Sequence, residues 1–365
     1  LTAPAVSIIV PAYNEEVNIV RTISNLKEQD YPSLKIYLVD DGSKDNTLQR
    51  VREVFENDDK VVIISKKNGG KASALNYGIA ACSTDYIVCV DADTQLYKDA
   101  VSKLMKHFIA DKTGKLGAVA GNVKVGNQRN MLTYWQAIEY TTSQNFDRMA
   151  YSNINAITVI PGAIGAFRKD VLEAVGGFTT DTLAEDCDLT MSINEHGYLI
   201  ENENYAVAMT EAPESLRQFI KQRIRWCFGV MQTFWKHRAS LFAPSKGGFG
   251  MWAMPNMLIF QYIIPTFSPI ADVLMLFGLF SGNASQIFIY YLIFLLVDAS
   301  VSIMAYIFEH ESLWVLLWII PQRFFYRWIM YYVLFKSYLK AIKGELQTWG
   351  VLKRTGHVKG AQTIS

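Results

Sequence analysis

The sequence has no large excess of either charge and few cysteines. Its 365 residues carry a net charge of +1, whereas non-specific binding to nucleic acid requires a strongly basic surface. The four cysteines show neither the paired spacing of a metal site nor a disulfide framework. A reducing compartment is therefore the simplest interpretation, with buried thiols favoured for the first two. The cysteines are Cys82, Cys89, Cys187 and Cys227.

Two phosphate-binding patterns are also missing. No Gly-x-Gly-x-x-Gly follows the first apolar run, which argues against a dinucleotide-dependent dehydrogenase. Gly69-Gly70-Lys71 lacks the preceding glycine that a nucleotide-binding phosphate loop requires. A nucleotide ligand would therefore need carboxylates, a cation and a divalent metal for its recognition.

Charge almost disappears from residues 247–335, although residues 1–212 mix charged and apolar side chains like a cytosolic enzyme. Three apolar blocks in this region are each long enough to span a hydrocarbon core of about 30 Å. The last block contains Arg323 and Arg327, and arginines at such depth face protein, water or a polar pathway. The three blocks are Met251–Phe280, Gln286–Phe308 and Leu313–Phe335.

The first hundred residues alternate short apolar runs with helical periodicity. This pattern predicts an α/β fold with a mostly parallel sheet between helices and a ligand site at the carboxyl ends of the strands. The predicted strands are Ser7–Pro11, Ile36–Val39, Val61–Ser65 and Tyr86–Val90. The predicted helices are Glu16–Gln29, Asn46–Glu56 and Lys71–Ala81, with Asp45 or Asn46 as a cap for the second.

Polar motifs follow three of these strands, so we expect their side chains to line one crevice. They begin at Tyr13, Asp41 and Asp91. Asp91 and Asp93 are two residues apart at a strand mouth, and Mg²⁺ or Mn²⁺ prefers such hard oxygen ligands. Asp-Gly after a strand is also a common turn, and Asp-x-Asp is a common accidental tripeptide.

Two further motifs lie in helical segments. Glu185-Asp186 begins an acid-rich first turn, which could serve the helix dipole or supply a general base. In Gln222-Arg223-Ile224-Arg225-Trp226, the glutamine, second arginine and tryptophan lie on about one turn, so a cation and a flat aromatic platform are neighbours. Residues 216–238 contain no acid, so a basic helix on anionic lipid is the alternative, and both interpretations can hold together.

The motifs that contain Asp41, Asp91, Asp186 and Trp226, in this order, resemble those of the processive family 2 glycosyltransferases, the membrane synthases of cellulose, chitin, hyaluronan and poly-N-acetylglucosamine. The resemblance implies a GT-A fold and inverting, metal-dependent transfer from a UDP-sugar. It implies nucleotide binding by Tyr13, Glu15, Asp41, Lys71 and Asp91. It implies a metal held mainly by Asp93 with Asp91, a general base at Asp186, and acceptor or diphosphate contacts from Gln222, Arg225, Trp226 and Glu185.

The resemblance also implies a domain order. We expect a cytosolic catalytic domain over residues 1–212, interfacial helices over 213–246, transmembrane helices over 247–335 and a basic cytosolic tail over 336–365. The positive-inside rule places that tail beside the catalytic domain at the plasma (inner) membrane, so one of the three blocks should not be a simple crossing. Either the proline-rich first block doubles back or the last runs partly along the interface. Upstream of Leu1 we expect a removed segment with transmembrane helices or a further domain.

The expected partners are a UDP-sugar donor, a growing polysaccharide and the lipid bilayer, and the resemblance allows an accessory membrane subunit. The tail segment Trp349–Gly356, similar to a gating segment, and the arginine-bearing block favour the poly-β-1,6-N-acetylglucosamine synthases within the family. Pro161–Arg168 resembles the small-residue segment that borders the acceptor pocket. The alternatives are hyaluronan-, chitin- or cellulose-type synthesis, a single-sugar transferase acting on a polyprenyl phosphate, and a transporter or receptor that only binds a nucleotide sugar.

Overall fold

The computed structural model describes residues 3–282, 284–343 and 356. Eight strands form one sheet with helices on both faces. The strands are β1 (Val6–Ala12), β2 (Leu34–Asp40), β3 (Val61–Ser65), β4 (Tyr86–Cys89), β5 (Gln95–Leu96), β6 (Leu116–Val125), β7 (Gly165–Arg168) and β8 (Leu199–Thr210). The helices are α1 (Ile19–Lys27), α2 (Thr47–Phe55), α3 (Lys71–Ala81), α4 (Ala100–Ala110), α5 (Met131–Glu139), α6 (Phe146–Ser152), α7 (Lys169–Ala174), α8 (Glu185–Glu195), α9 (Leu216–Lys236), α10 (Met254–Asn256), α11 (Ile264–Phe280), α12 (Ala284–Phe308) and α13 (Ile319–Ile342).

The predicted α/β alternation and mostly parallel sheet are confirmed. Strands β3, β2, β1 and β4 are neighbours in that order and run parallel, so their carboxyl ends meet at one edge. All seven residues of β1 are buried, and successive side chains enter separate apolar clusters, Ile8 in one and Ile9 in the other. This alternation across a strand is what a sheet covered on both faces requires.

The other half of the sheet has no counterpart in the predicted elements. β7 pairs antiparallel with both β4 and β6, and β8 runs parallel to β6. Small residues obscure the apolar pattern of β6; a Cβ on Gly121 would lie 2.7 Å from the Ile164 side chain, so the close packing there requires glycine. Charged residues such as Glu201 and Glu203 similarly interrupt β8.

Beyond β8 the described chain is helical. Two of its helices, Phe249–Phe280 and Ala284–Phe308, are long and apolar enough to cross a membrane, and most of their large side chains are exposed. The third predicted block divides into a short 3₁₀ helix, Leu313–Trp318, and α13. α13 lies along α9, where the rings of Phe219 and Tyr326 are 5.3 Å apart.

The two arginines of the last block face acidic side chains. Arg323 Nε and Nη2 donate to Asp298 of α12 at 2.6 and 2.8 Å. Arg327 pairs with Asp272 of α11, whose carboxylate also accepts from the Tyr331 hydroxyl at 3.1 Å. These pairs join α13 to both apolar helices, which agrees with the expectation that the arginines face protein.

Candidate active site

The carboxyl ends of β1 and β2 carry the first two motifs. Asp41, which is buried, accepts from the backbone N–H of Gly70 at 2.7 Å and from Lys66 Nζ at 2.6 Å. Its carboxylate therefore fixes the glycine turn that leads into α3. Gly70 begins this helix with φ near +88°, a conformation that glycine adopts without strain.

The loop after β1 is bonded to the loop after β2. Asn14 has φ near +56°, and its backbone N–H donates to Ser43 Oγ at 3.0 Å. The backbone N–H of Glu15 donates to Thr47 Oγ1 at 2.8 Å. These bonds place Tyr13 and Glu15 beside the Asp41 motif and explain why α1 begins three residues later than predicted. Asp45 rather than Asn46 bonds the start of α2, through its carboxylate and the N–H of Thr47 at 3.0 Å.

Lys71, at the start of α3, lies between the strand-end motif and the α8 motif. Its Nζ is 2.6 Å from Asp91 Oδ1 and 3.3 Å from Glu185 Oε1. Although burial opposes the charge, the carboxylates of Asp91, Glu185 and Asp186 raise the pKa of Lys71 above its usual value. The lysine therefore stays protonated and holds together acids that are nearly a hundred residues apart in sequence.

Asp186 lies in the first turn of α8, and its carboxylate accepts from the Cys187 N–H at 2.8 Å. Burial and the neighbouring charge of Glu185 raise the pKa of Asp186 to about 6. A carboxylate with such a pKa is ionised at neutral pH and is a stronger base than an ordinary aspartate.

Gly162 lies at the centre of this group. A Cβ there would be 2.6 Å from Lys71 Nζ and 3.7 Å from a carboxylate oxygen of both Asp91 and Asp186. The Pro161–Arg168 segment thus borders the carboxylates, and glycine leaves room beside them for a ligand.

Asp91 and Asp93 follow β4, Asp93 buried and Asp91 partly exposed. Within the described ranges, no group of three or more His, Cys, Asp or Glu side chains could hold a metal ion. Two carboxylates fit Mg²⁺ or Mn²⁺ only if a ligand's phosphate oxygens and water complete the shell, which these ions readily accept.

The helix α9 presents the basic-aromatic motif. Gln222 is buried and its amide oxygen has no hydrogen-bond partner in the described part of the chain, while Arg225 and Trp226 are partly exposed. Gly229 allows α9 to approach the segment before Glu185-Asp186 closely, because a Cβ there would lie 2.8 Å from the backbone of Leu183 and Ala184.

Sequence reasoning missed the role of Arg223, the second residue of the motif. Its guanidinium lies 4.8 Å from the Trp226 ring centroid and forms an ion pair with Glu139 of α5. Tyr326 of α13 donates to the same carboxylate. A buried arginine between aromatic rings was the available signal, but its acidic partner is 84 residues away and only the fold identifies it.

Two secondary predictions have different outcomes. All four cysteines are free thiols, and Cys82 and Cys89 are buried as predicted, as is Cys187. Burial raises the pKa of the Cys89 thiol to about 12. The tail segment Trp349–Gly356 lies outside the described residues except for Gly356, whose N–H donates to Glu211 Oε2 at 3.0 Å.

Comparison with known proteins finds similarity over the first half of the chain. Residues 7–176 match Glycosyl transferase family 2. Poly-beta-1,6-N-acetyl-D-glucosamine synthase of Staphylococcus aureus (strain COL) is 34% identical over 224 residues, 61% of this chain and 54% of the relative. The synthase of the same name from Staphylococcus epidermidis is 34% identical over 234 residues, 63% of this chain and 56% of the relative. The matched part thus spans just over half the length of these relatives.

A solved structure supports the fold. The mannosyltransferase PcManGT from Pyrobaculum calidifontis, in complex with GDP-Man and Mn²⁺, superposes with a TM-score of 0.66 at 24% identity. The match covers 94% of this chain and 88% of that one, so the similarity of fold extends beyond the sheet into the helical region.

Proposed function

Because residues 7–176 match Glycosyl transferase family 2, we propose that the protein is a membrane-bound, processive, inverting glycosyltransferase. It polymerises N-acetylglucosamine from UDP-GlcNAc into a β-linked exopolysaccharide, with poly-β-1,6-N-acetylglucosamine favoured, and passes the product across the membrane. The observation that supports the chemistry is the convergence of Asp91, Glu185 and Asp186 around Lys71. The names of the relatives support the choice of sugar.

The donor lies at the strand ends. Tyr13, Glu15 and Asp41 contact the base and ribose, while Lys71 and Asp91 complete the nucleotide site. Asp93, with Asp91, would hold Mg²⁺ or Mn²⁺, which when bound neutralises charge on the departing diphosphate. Two protein carboxylates leave most of the metal shell to the donor phosphates, so donor and metal bind together.

The acceptor reacts between α8 and α9. Asp186 takes the proton from the acceptor hydroxyl as that oxygen attacks the anomeric carbon, and the elevated pKa suits this role. Trp226 offers a flat surface to the acceptor sugar, and Arg225 with Glu185 orients the diphosphate and acceptor. Gln222 contributes a buried amide oxygen that a sugar hydroxyl can satisfy.

The membrane arrangement follows from the two apolar helices. If both cross the bilayer, the chain returns to its starting side, and the basic tail stays in the cytosol with the catalytic domain. The position of α13 beside α9 supports the alternative in which the last predicted block runs along the interface. Residues 213–246 then lie at the cytosolic surface of the plasma (inner) membrane.

The test is a product analysis of the full protein in lipid vesicles. The protein is incubated with Mg²⁺ or Mn²⁺ and each of a panel of UDP-sugars, and products are sized and digested with linkage-specific hydrolases. Of the UDP-sugars tested, we expect only UDP-GlcNAc to give long chains. A β-1,6-specific N-acetylglucosaminidase should cleave these chains. Addition of one sugar to a polyprenyl phosphate would instead establish the single-transfer alternative, and nucleotide binding without product would establish a binding protein.

A further inference from the structure

A buried charged cluster joins α8 to the end of α9, away from the donor. His237 directly follows α9 and is 5% exposed. Its Nε2 is 2.9 Å from Asp188 Oδ1, and its Nδ1 is 2.9 Å from Glu195 Oε2. Both partners are carboxylates of α8, one in each end turn. Because ionised carboxylates only accept hydrogen bonds, both ring nitrogens must donate, and the ring is an imidazolium.

Asp188 is the more constrained of the two acids. Its side chain is fully buried, and it accepts from Lys236 Nζ at 2.9 Å and from the Thr179 hydroxyl as well as from His237. Asp188 lies two residues after Asp186 on the same helix. A change in the position of this carboxylate would therefore move the helical turn that carries the proposed base.

The remaining polar groups complete the surroundings of the ring. Lys236 also pairs with Asp181 at 3.1 Å. Lys246 donates to the Glu195 carbonyl at 2.7 Å, and Ser240 donates to the Glu195 carboxylate at 2.5 Å. The charged groups that surround His237 are thus Asp188, Glu195, Asp181, Lys236 and Lys246.

Two contacts earlier in α9 reach the segment just before the base. Gly229 touches the backbone of Leu183 and Ala184, and the Leu183 N–H donates to Gln232 Oε1 at 3.1 Å. α9 therefore holds α8 both before and after Glu185-Asp186. The later attachment contains a histidine, whose charge can change with pH.

We propose that His237 is a positioning residue for the transfer reaction, fixing α8 against α9 so that the carboxylate of Asp186 keeps its place relative to the acceptor surface at Trp226. This role deepens the proposed function and rests on it. His237 touches neither donor nor the proposed base, so it acts through Asp188 and the helix between them. Unlike a simple packing contact, it acts only while the ring is protonated.

The electrostatics agree with this geometry. Although burial opposes the charge, the hydrogen bonds that the ring donates to Asp188 and Glu195 raise the pKa of His237 to about 9. Against the opposing effect of burial, His237, Thr179 and Lys236 lower the pKa of Asp188 to about 2. The cluster is therefore fully charged at neutral pH and loses its central cation on the alkaline side.

The experiment compares the full wild-type protein with His237→Gln in vesicles, measuring turnover, UDP affinity and thermal midpoint across the alkaline range. Glutamine keeps a hydrogen-bond donor but cannot be protonated. We expect His237→Gln to lower turnover about 10-fold to 100-fold while UDP affinity stays unchanged, as expected for a displaced catalytic group. Wild-type turnover should decline as pH rises through about 9, and the variant should show no such decline.

His196→Gln is the matched control, because His196 is exposed directly after α8 and its ring bonds the Ser192 carbonyl of that helix. It should behave as wild type. Turnover of His237→Gln within about twofold of wild type, or an unchanged alkaline decline, would overturn the proposal. If that variant fails to fold, the pH profile of the wild type is the test. Wild-type turnover that does not decline at alkaline pH, with UDP affinity constant, would refute the role. An active Asp186→Asn protein would refute the assignment of Asp186 as the base. Failure of the proposed function can therefore be distinguished from failure of the His237 proposal.

Discussion

The proposed donor half of the candidate site, at the ends of β1, β2 and β4, and its proposed acceptor half, on α8 and α9, are built in different ways. In the donor half, Asp41 bonds Lys66 and Gly70, which lie 25 and 29 residues further along the chain. In the acceptor half, Arg223 pairs with Glu139 across 84 residues, and Tyr326 reaches the same carboxylate across 187. The donor half comes from successive strand ends of one parallel sheet, whereas the acceptor half is assembled from helices distant in sequence.

This difference predicts that the halves can be damaged separately. Lys71 is the contact between them, because it bonds a strand-end carboxylate and a carboxylate of α8. Changes at Asp186 of α8 or Trp226 of α9 should reduce transfer and leave nucleotide binding intact. Changes at the strand ends should weaken nucleotide and metal binding first.

The largest expected effect is that of Asp186→Asn, which separates the halves most sharply. Removing a general base lowers turnover by about 10² to 10⁴. UDP affinity should stay near wild type, because the nucleotide residues lie on other elements. Turnover is measured from UDP-GlcNAc and affinity from UDP titration. Glu173→Gln, an exposed acid nearby in sequence, is the control. Asp186→Asn turnover within about threefold of wild type would remove Asp186 from the base role.

The second effect is on the donor half. Chelation of divalent ions should stop transfer, and Mg²⁺ or Mn²⁺ should restore it, because a leaving diphosphate needs several kcal/mol of charge stabilisation that two carboxylates cannot supply. The transfer activity of Asp93→Ala should not recover with added metal. In the presence of metal, this variant should bind UDP more weakly than the wild type does. The exposed Asp59→Ala should respond to metal as wild type does. Full activity in chelator would contradict the two-carboxylate site.

A third test uses pH to titrate the acceptor half alone. The base must be ionised, so turnover should fall as pH drops through the Asp186 pKa of about 6. One pH unit below this value, turnover should be about tenfold lower, while UDP affinity should change little. The measurement is turnover at saturating donor over the acidic range. If turnover instead stays constant down to the pKa of an ordinary exposed aspartate, burial and Glu185 do not raise the pKa of Asp186.

The smallest effect should come from Trp226→Ala. Loss of one aromatic contact with a sugar costs about 1 kcal/mol, or about fivefold per step, and recurs at each elongation. Water needs no stacking surface, so polymer should fall more than hydrolysis of UDP-sugar to free sugar. The ratio of these activities in equal amounts of inserted protein is the measurement. Trp252→Ala, an exposed tryptophan at the start of an apolar helix, should leave the ratio unchanged. An equal fall in both activities for Trp226→Ala would indicate an anchoring role.

The sequence predicts the elements of the donor half better than those of the rest of the molecule. The bounds of β3 and α3 agree with the sequence pattern, and β1 and β2 differ from it by one or two residues. Uninterrupted apolar runs and strand-end turns carry this information locally. The later strands were not predicted, because glycine and alanine in β6 and charged residues in β8 interrupt the apolar pattern of a strand. These segments become strands through their pairing with neighbouring strands, which the local sequence does not show.

The candidate site divides in the same way. The motifs containing Asp91, Asp186 and Trp226 could be identified from the sequence because each stands at the end or on the face of a predictable element. Their mutual arrangement could not. Lys71 was assigned to the nucleotide, but the structure shows it bonding Glu185 as well. Asp188 lies in the same first turn of α8 as Asp186, and nothing in sequence order indicated its buried partner His237.

The sequence by itself determined the α/β alternation, the donor-side crevice and the apolar helices, because these depend on periodicity and on turns within short segments. Only the tertiary structure decided which charges neutralise one another. Arg327 with Asp272, Arg223 with Glu139 and His237 with Asp188 each join separate helices. The physical reason is that a buried charge is stable only when an opposite charge lies close to it. Which charges lie close together depends on the packing of whole helices and strands rather than on neighbours in the chain.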